Sequence, residues 1–362
     1  MKTHWKKWLI FPALLPFFSA VEAKPASEAV EEQPLDTIDY RVFIAVDKAA
    51  VEHWGGREAY RTKLNAFFGQ VNDFWNKAGQ GRFKYYFRYI PDMQVVYDCS
   101  SRQLENIYKQ SAGFPNHDVL LIIDSLLDYD DEEGAKGWYC GGAAEGMNMV
   151  VCRSRSKTEH EDLFGIDYFH RGVAHELGHY RGVTDLYADR IREKNNPVNH
   201  IGYEPDSCVM NNHYKTYKWS QYAVNIINYT ALSKRPGQDF QGLFKKMFPK
   251  NIEVSVKVNG KKKKGVQLNL YGSRAGFNDL IATPYRTYQT DKKGEYLITG
   301  VPNLYDNPAE PLHTDKLPYN RWFTFLLEVE YKGQKKYVWL PEYEVQQTFF
   351  ENKDTYQVSV DF

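Results

Sequence analysis

The chain has 362 residues, and its 46 lysines and arginines balance its 46 aspartates and glutamates. This length favours two domains, and a hydrophobic content of 43% excludes a mostly disordered chain. A zero net charge provides no broad positive field, so we do not expect a nucleic-acid binder.

The first 23 residues have the pattern of a cleavable export signal. Lysines precede an apolar stretch at 8–18 that is too short to span a bilayer, and small residues at 19–23 fit a cleavage site. Residues 24–37 are polar and predict a flexible tail. No later segment is apolar enough to span a membrane, so we expect a secreted or periplasmic monomer.

Four cysteines in an exported chain favour two disulfide bonds, for which three connectivities exist. Cys140 and Cys152 flank apolar runs suited to a hairpin, so we favour Cys140 with Cys152 and Cys99 with Cys208. No two cysteines have the Cys-x-x-Cys spacing of a zinc site.

Strand and helix patterns alternate over residues 38–240 and predict an α/β domain. Apolar residues at helical spacing predict an amphipathic helix at 58–78. Strands are predicted at 40–46, 83–90, 119–123, 139–143 and 147–152, and further helices at 104–110, 167–181 and 219–233. The acidic run at 128–133 is interpreted as a solvated loop, with a calcium site as an unsupported alternative.

The pattern changes to all-β over residues 250–362. Apolar and polar residues alternate at 252–258, 266–270 and 323–331, and turns follow at Asn259-Gly260 and Lys332-Gly333. Several short alternating strands separated by turns predict a β-sandwich domain. Residues 290–298, Thr-Asp-Lys-Lys-Gly-Glu-Tyr-Leu-Ile, resemble a strand and turn of transthyretin-like, carboxypeptidase-regulatory-type sandwiches.

One helix carries the motif most informative about chemistry, His-Glu-x-x-His, at His175, Glu176 and His179. Histidines four positions apart lie on one helical face, so both imidazoles can bind one metal ion. Glu176, the next position around the helix, is placed to act as a general base. The opposite side of the helix carries an apolar stripe: Phe169, Val173, Leu177 and Tyr180.

The residues after the second histidine offer a third ligand. Gly182 suits a left-handed turn that ends the helix, and Asp185 would then return toward the two histidines. Two histidines, one carboxylate and an open position describe a catalytic zinc site with one ion. If Asp185 only caps a turn, the third ligand remains open among Glu193, His200, Glu204 and His213.

The stretch His-Glu-Leu-Gly-His-Tyr-Arg-Gly-Val-Thr-Asp resembles the extended motif of metzincin zinc endopeptidases with aspartate as third ligand, as in immune-inhibitor-A-like and snapalysin-like enzymes. The resemblance implies a methionine turn below the metal, and Met210 lies 25 positions after Asp185. It covers this motif, Met210 and the order of elements over 38–235. Thr184 replaces a frequent proline, and Asn212 stands where several metzincins have tyrosine.

The resemblance implies a secreted zinc endopeptidase that hydrolyses protein or peptide substrates with Glu176 as general base. It further implies that an extended substrate pairs with an edge strand formed by Trp138, Tyr139, Gly141, Gly142 and Ala143. The alternative from another class is an exported binding or adhesion protein with a protease-like zinc domain and no significant catalysis.

Overall fold

The computed structural model describes residues 35–98, 103–104, 106, 118–124, 138–140, 149–154, 164, 168–234, 244–274, 279–306 and 321–362. Among these, no helix is both long enough and apolar enough to cross a membrane. Several predictions concern residues outside these ranges: the signal at 1–23, nearly all of the tail, Cys99, the acidic run, Gly141, Gly142 and Ala143, and most of the helix at 104–110.

The N-terminal half is built on a mixed five-stranded sheet in the order β2-β1-β3-β5-β4. The first four of these strands in spatial order run parallel, and the edge strand β4 is antiparallel to β5. The buried run of β3 is apolar at five successive positions, as expected for a strand covered on both faces. The strands are β1 (Thr37–Asp47), β2 (Tyr86–Tyr97), β3 (Val119–Asp124), β4 (Trp138–Cys140) and β5 (Met149–Ser154).

Helices pack against this sheet through the apolar faces that the sequence predicts. The predicted helix at 58–78 is confirmed, and Leu64, Phe67, Val71 and Trp75 lie in the core. The indole of Trp75 packs 4.7 Å from that of Trp219, which precedes the last helix of this half. The helices are α1 (Lys48–His53), α2 (Arg57–Ala78), α3 (Phe169–Tyr180) and α4 (Gln221–Thr230).

Two further sheets, one of five strands and one of four, enclose a second core in the C-terminal part. One has the order β10-β8-β12-β13 with β9 beside β8, and the other has the order β11-β6-β14 with β7 beside β6. The strands are β6 (Asn251–Val258), β7 (Lys261–Lys262), β8 (Gln267–Arg274), β9 (Asp279–Leu280), β10 (Arg286–Gln289), β11 (Glu295–Thr299), β12 (Trp322–Tyr331), β13 (Gln334–Pro341) and β14 (Thr355–Asp361).

The C-terminal part is β-rich rather than all-β, because its described residues include the helices α5 (Val301–Tyr305) and α6 (Glu342–Phe350). Helix α6 begins directly after Pro341 and carries Tyr343 into the first core. Residues 35–362 form one compact unit with two main cores. Most of the first core precedes residue 240 and all of the second core follows it, but Met247 and Tyr343 belong to the first core. The division into domains at 38–240 and 250–362 remains a prediction.

The structure bears differently on the two predicted cysteine pairs. Cys140 and Cys152 are opposite one another in the antiparallel register of β4 and β5, so a bond between them remains a prediction with compatible backbone positions. Cys208 is a free, fully buried thiol whose sulfur accepts a hydrogen bond from the Ser220 amide at 3.2 Å. The predicted bond between Cys99 and Cys208 is therefore not formed.

Candidate metal centre

Helix α3 places His175, Glu176 and His179 in the interior of the protein. These three side chains are only 3–5% exposed, and every residue of α3 except His170 is buried. The apolar stripe lies in the first core, as the spacing predicts. The opposite face is covered as well, because the chain after the helix folds back over it, so α3 is less exposed than an ordinary amphipathic helix.

Gly182 reverses the chain at the end of α3. It has a φ of 92°, in the region that favours glycine, and Val183 donates its amide to the carbonyl of Gly178 at 3.0 Å. The Gly182 amide donates to the carbonyl of His179 at 2.8 Å. These two bonds make the Schellman motif that ends many helices. The sharp turn directs the following residues back toward the histidines.

Asp185 lies at the point where both imidazoles converge. Its Oδ1 atom is 3.1 Å from Nε2 of His175 and 3.1 Å from Nε2 of His179. The structure thus brings together the two predicted histidines and the predicted third ligand. Asp185 Oδ1 is buried and has no hydrogen-bond partner among the described residues.

The tautomers of the histidines follow from their second nitrogens. Nδ1 of His175 is 3.0 Å from the carbonyl oxygen of Val209, and Nδ1 of His179 is 2.8 Å from that of Val183. Because a carbonyl oxygen only accepts hydrogen bonds, we assign the proton of each neutral imidazole to Nδ1. Each Nε2 then presents a lone pair to Asp185.

A shared cation can satisfy three acceptor atoms that face one another. One proton satisfies one nitrogen–oxygen contact, whereas a metal ion satisfies all three atoms at once. Ligands about 2.0 Å from a tetrahedral ion lie about 3.3 Å apart, close to the observed separations. The donor set and its spacing therefore fit a metal ion, and the carbonyls of Val183 and Val209 supply the outer contacts that orient metal-binding histidines.

Glu176 is next to this site but occupies a different position from the third ligand. Ligand atoms of His175, Glu176 and His179 all lie within 4.8 Å of one another, so this buried group alone could hold a metal ion. Asp185 is closer to both histidines than that limit. Asp185 is therefore a candidate third ligand, and Glu176 lies next to the two histidines that Asp185 contacts.

Met210 lies against the buried side of α3. A Cβ atom added at Gly178 would be only 2.7 Å from Met210 Sδ. The sulfur atom therefore contacts the helix backbone at Gly178, which lies between His175 and His179 in the sequence. The Met210 carbonyl accepts a hydrogen bond from the Leu186 amide at 3.1 Å. The turn at Met210 thus supports both the histidine helix and the segment that carries Asp185.

The other candidates for the third ligand differ from Asp185 in their surroundings. Glu204 forms a two-hydrogen-bond ion pair with Arg190, and Glu193 and His200 are exposed. His213 is nearer, with its ring centroid 5.0 Å from that of His175. Burial, together with His175, lowers the pKa of His213 to about 4, so this ring is neutral at physiological pH.

The charges of the site are strongly coupled. Burial opposes the charge of Asp185, but His179 and His175 outweigh burial and hold the pKa of that carboxyl below its usual value. Burial likewise opposes an imidazolium at His175, but Asp185 and Glu176 raise its pKa. Because metal ligands bind in their deprotonated forms, protonation of His175 and binding of a metal ion oppose each other.

No model of a known protein family matches the chain, and comparison with curated proteins gives no significant match. The metal centre is therefore interpreted from its own geometry.

The backbone contacts of the site carry no signal in the sequence, whereas Tyr187 does. The carbonyls of Val183 and Val209 act through the backbone, which any residue provides. Tyr187 lies parallel to His175 at 6.4 Å between ring centroids, and it is 43% exposed. Its place two residues after Asp185 is the one feature from which the sequence could have indicated it.

Proposed function

We propose that the protein is an exported, zinc-dependent endopeptidase. The observation that carries this proposal is the convergence of His175, His179 and Asp185 on one point, with Glu176 beside them. Imidazole nitrogens and a carboxylate oxygen suit zinc, and three protein ligands leave a position open for chemistry. The metzincin-like motif agrees with the same residues in the same roles.

A zinc ion held there would act as a Lewis acid and lower the pKa of a water molecule. The remaining chemistry belongs to the chain. Glu176 accepts the proton of the attacking water and passes it to the leaving amine of the peptide. Glu176, His175 and His179 are only 3–5% exposed, and electrostatic interactions are stronger at such low exposure than in water.

The sheet offers a place for an extended substrate. Strand β4 is the last strand in the sheet order, it runs antiparallel to β5, and α3 packs alongside both strands. A peptide that pairs with this edge would continue the sheet next to the metal centre. This position supports the expectation that Trp138 and Tyr139 belong to the substrate edge, while Gly141, Gly142 and Ala143 lie outside the described residues.

The test replaces Glu176 with glutamine, which keeps the side-chain volume and removes the base. We expect E176Q to retain one zinc ion per chain and to cleave unfolded casein at least about 100-fold more slowly than the parent. E193Q changes an exposed glutamate and is expected to match the parent. Equal cleavage by E176Q and the parent would refute the base assignment.

The same experiment separates the endopeptidase from the binding-protein alternative. A parent that binds zinc and cleaves no unfolded protein under any condition tested would favour a metal-dependent binding protein. Chelator-sensitive cleavage by the parent would favour the endopeptidase. Zinc content is measured by metal analysis of the purified chain, so the two outcomes are independent of each other.

A further inference from the structure

The segment that carries Asp185 is held from its far side by the β-rich part of the chain. A 3-10 helix, Leu186–Asp189, follows Asp185 directly. The Thr324 hydroxyl on β12 donates to Asp189 Oδ1 at 2.7 Å and lies 3.3 Å from the Asp189 carbonyl oxygen. Both Thr324 and Asp189 are fully buried.

Apolar contacts surround this hydrogen bond. Ala188 packs against Phe323, the neighbour of Thr324. Ile191 packs against Leu326 and Tyr271, which lie on the face of the sheet away from the second core. Leu186, the first residue of the 3-10 helix, is held by the Met210 turn, because its amide donates to the Met210 carbonyl. The ligand-bearing segment is therefore enclosed between the Met210 turn and β12.

Burying the carboxyl group of Asp189 beside Thr324 is unfavourable, so packing alone does not explain this contact. Burial and the charge of Glu342 raise the pKa of Asp189, so its charge is disfavoured where it lies. Asp189 Oδ2 has no hydrogen-bond partner among the described residues. A buried polar group of this kind often lowers stability relative to an apolar replacement, and its presence suggests that it determines a specific arrangement.

We propose that Thr324 is a positioning residue for the metal centre, acting through Asp189 to hold the turn that presents Asp185. Asp189 is close enough to fix the backbone of Asp185, because the Ala188 amide, from the residue before Asp189, donates to the Asp185 carbonyl at 3.1 Å. The C-terminal β-rich part thereby completes the metal centre of the α/β part. This inference rests on the proposed metal site and extends it to a residue 139 positions beyond Asp185 in the sequence.

The experiment compares three substitutions by their zinc affinity, measured in competition with a chromophoric chelator. T324V replaces the hydroxyl with a methyl group of similar volume, and T324S keeps the hydroxyl. T290V is the matched control: Thr290 is also buried, and its hydroxyl donates to the Lys263 carbonyl at 2.7 Å, a contact within the C-terminal β-rich part. Thermal unfolding of the metal-free variants is recorded alongside.

We expect T324V to bind zinc at least about 10-fold more weakly than the parent, the loss typical when a supporting contact of a metal ligand is removed. T324S should restore affinity to within about twofold, and T290V should lose thermal stability with unchanged affinity. Equal zinc affinity in T324V, T290V and the parent would overturn the positioning role. A parent without zinc affinity would instead contradict the proposed function.

If T324V does not fold, hydrogen exchange of the parent provides the test. Removal of zinc by a chelator is expected to raise amide exchange in residues 186–191 and in the first half of β12 together. A rise confined to residues 186–191, with β12 unchanged, would overturn the proposal because it would show that the two segments are not coupled.

Discussion

Asp185 shows how much the centre depends on a single oxygen atom. One carboxylate oxygen meets two imidazole nitrogens, so its negative charge contributes to every contact of the site. Substitution by asparagine keeps the size of the side chain and removes that charge. We expect D185N to lose more than about 100-fold in zinc affinity, beyond the 10–100-fold lost with a supporting group.

H213A is the matched comparison for D185N. His213 is another nearby side chain able to ligate a metal, with its ring centroid 5.0 Å from that of His175. We expect H213A to bind zinc within about twofold of the parent. A large loss of affinity in H213A with little loss in D185N would reverse the assignment of the third ligand.

Asp189 predicts a dependence of stability on pH. Its pKa is raised in the folded chain, first by burial and then by Glu342, so folded Asp189 retains its proton to a higher pH than unfolded Asp189. The stabilising contribution is therefore complete below the usual pKa of aspartate and is lost as pH rises through the folded value. The free energy of unfolding should fall over that interval.

Asparagine at this position stays neutral at every pH. Relative to the parent, D189N is expected to become progressively more stable between about pH 4 and pH 8. Urea unfolding of both proteins across this range measures the difference. D354N, which changes an exposed aspartate, should follow the parent, and a constant difference between D189N and the parent would contradict the raised pKa.

At the scale of elements, α3 and the Met210 turn are packed so closely that no additional atom fits between them at Gly178. A Cβ atom at Gly178 would lie 2.7 Å from Met210 Sδ and 3.3 Å from the ring of Trp219. Both neighbours are completely buried, so neither can move away without disturbing the core. Glycine is required here by close packing, since a helical backbone accepts alanine.

We expect G178A to lower the free energy of unfolding by about 1–3 kcal/mol, as overpacking does. G69A provides the opposite case within a helix: Gly69 lies in α2 with no atom within 4 Å of an added Cβ. It is expected to stabilise the protein by about 0.5–1 kcal/mol, since alanine restricts the unfolded chain. Chemical denaturation measures both changes, and a stabilised G178A would disprove the close contact.

The elements differ in how far the sequence could predict them. The helix at 58–78 and the strand at 119–123 were predictable because their apolar residues follow a clear period or form a short continuous run. Helix α6 was not predicted, because its burial comes from contacts with both halves of the chain, among them Tyr343 against Tyr222. Local pattern contains no information about such contacts.

In the candidate metal centre, too, local patterns were predictable and contacts between distant residues were not. His175, Glu176, His179 and Gly182 were predictable because one helix and its end bring them together. The contact of Thr324 with Asp189 joins residues 135 positions apart and has no local pattern. The predicted bond from Cys208 failed for a related reason: the count of cysteines indicates pairing but contains no distances, and Cys208 lies in the core beside Ser220.

At the scale of the whole molecule, the two cores are joined rather than merely adjacent. Tyr343 of α6 lies in the first core, and its hydroxyl is 2.6 Å from that of Tyr203, which follows the ligand segment. Tyr203 also packs against Trp339 of β13 at 5.3 Å. Loss of either core would therefore expose apolar surface of the other, which favours cooperative unfolding.

We expect residues 35–362 to unfold in one calorimetric transition, and zinc to shift that whole transition upward. Free zinc at 1,000 times its dissociation constant adds about 4 kcal/mol to the folded state, which corresponds to several degrees in the midpoint. Scanning calorimetry with zinc and with chelator measures both effects, and D185N, which lacks the shared oxygen charge, should show little shift. Two separate transitions, with zinc moving only one, would show instead that the β-rich part unfolds independently of the metal centre.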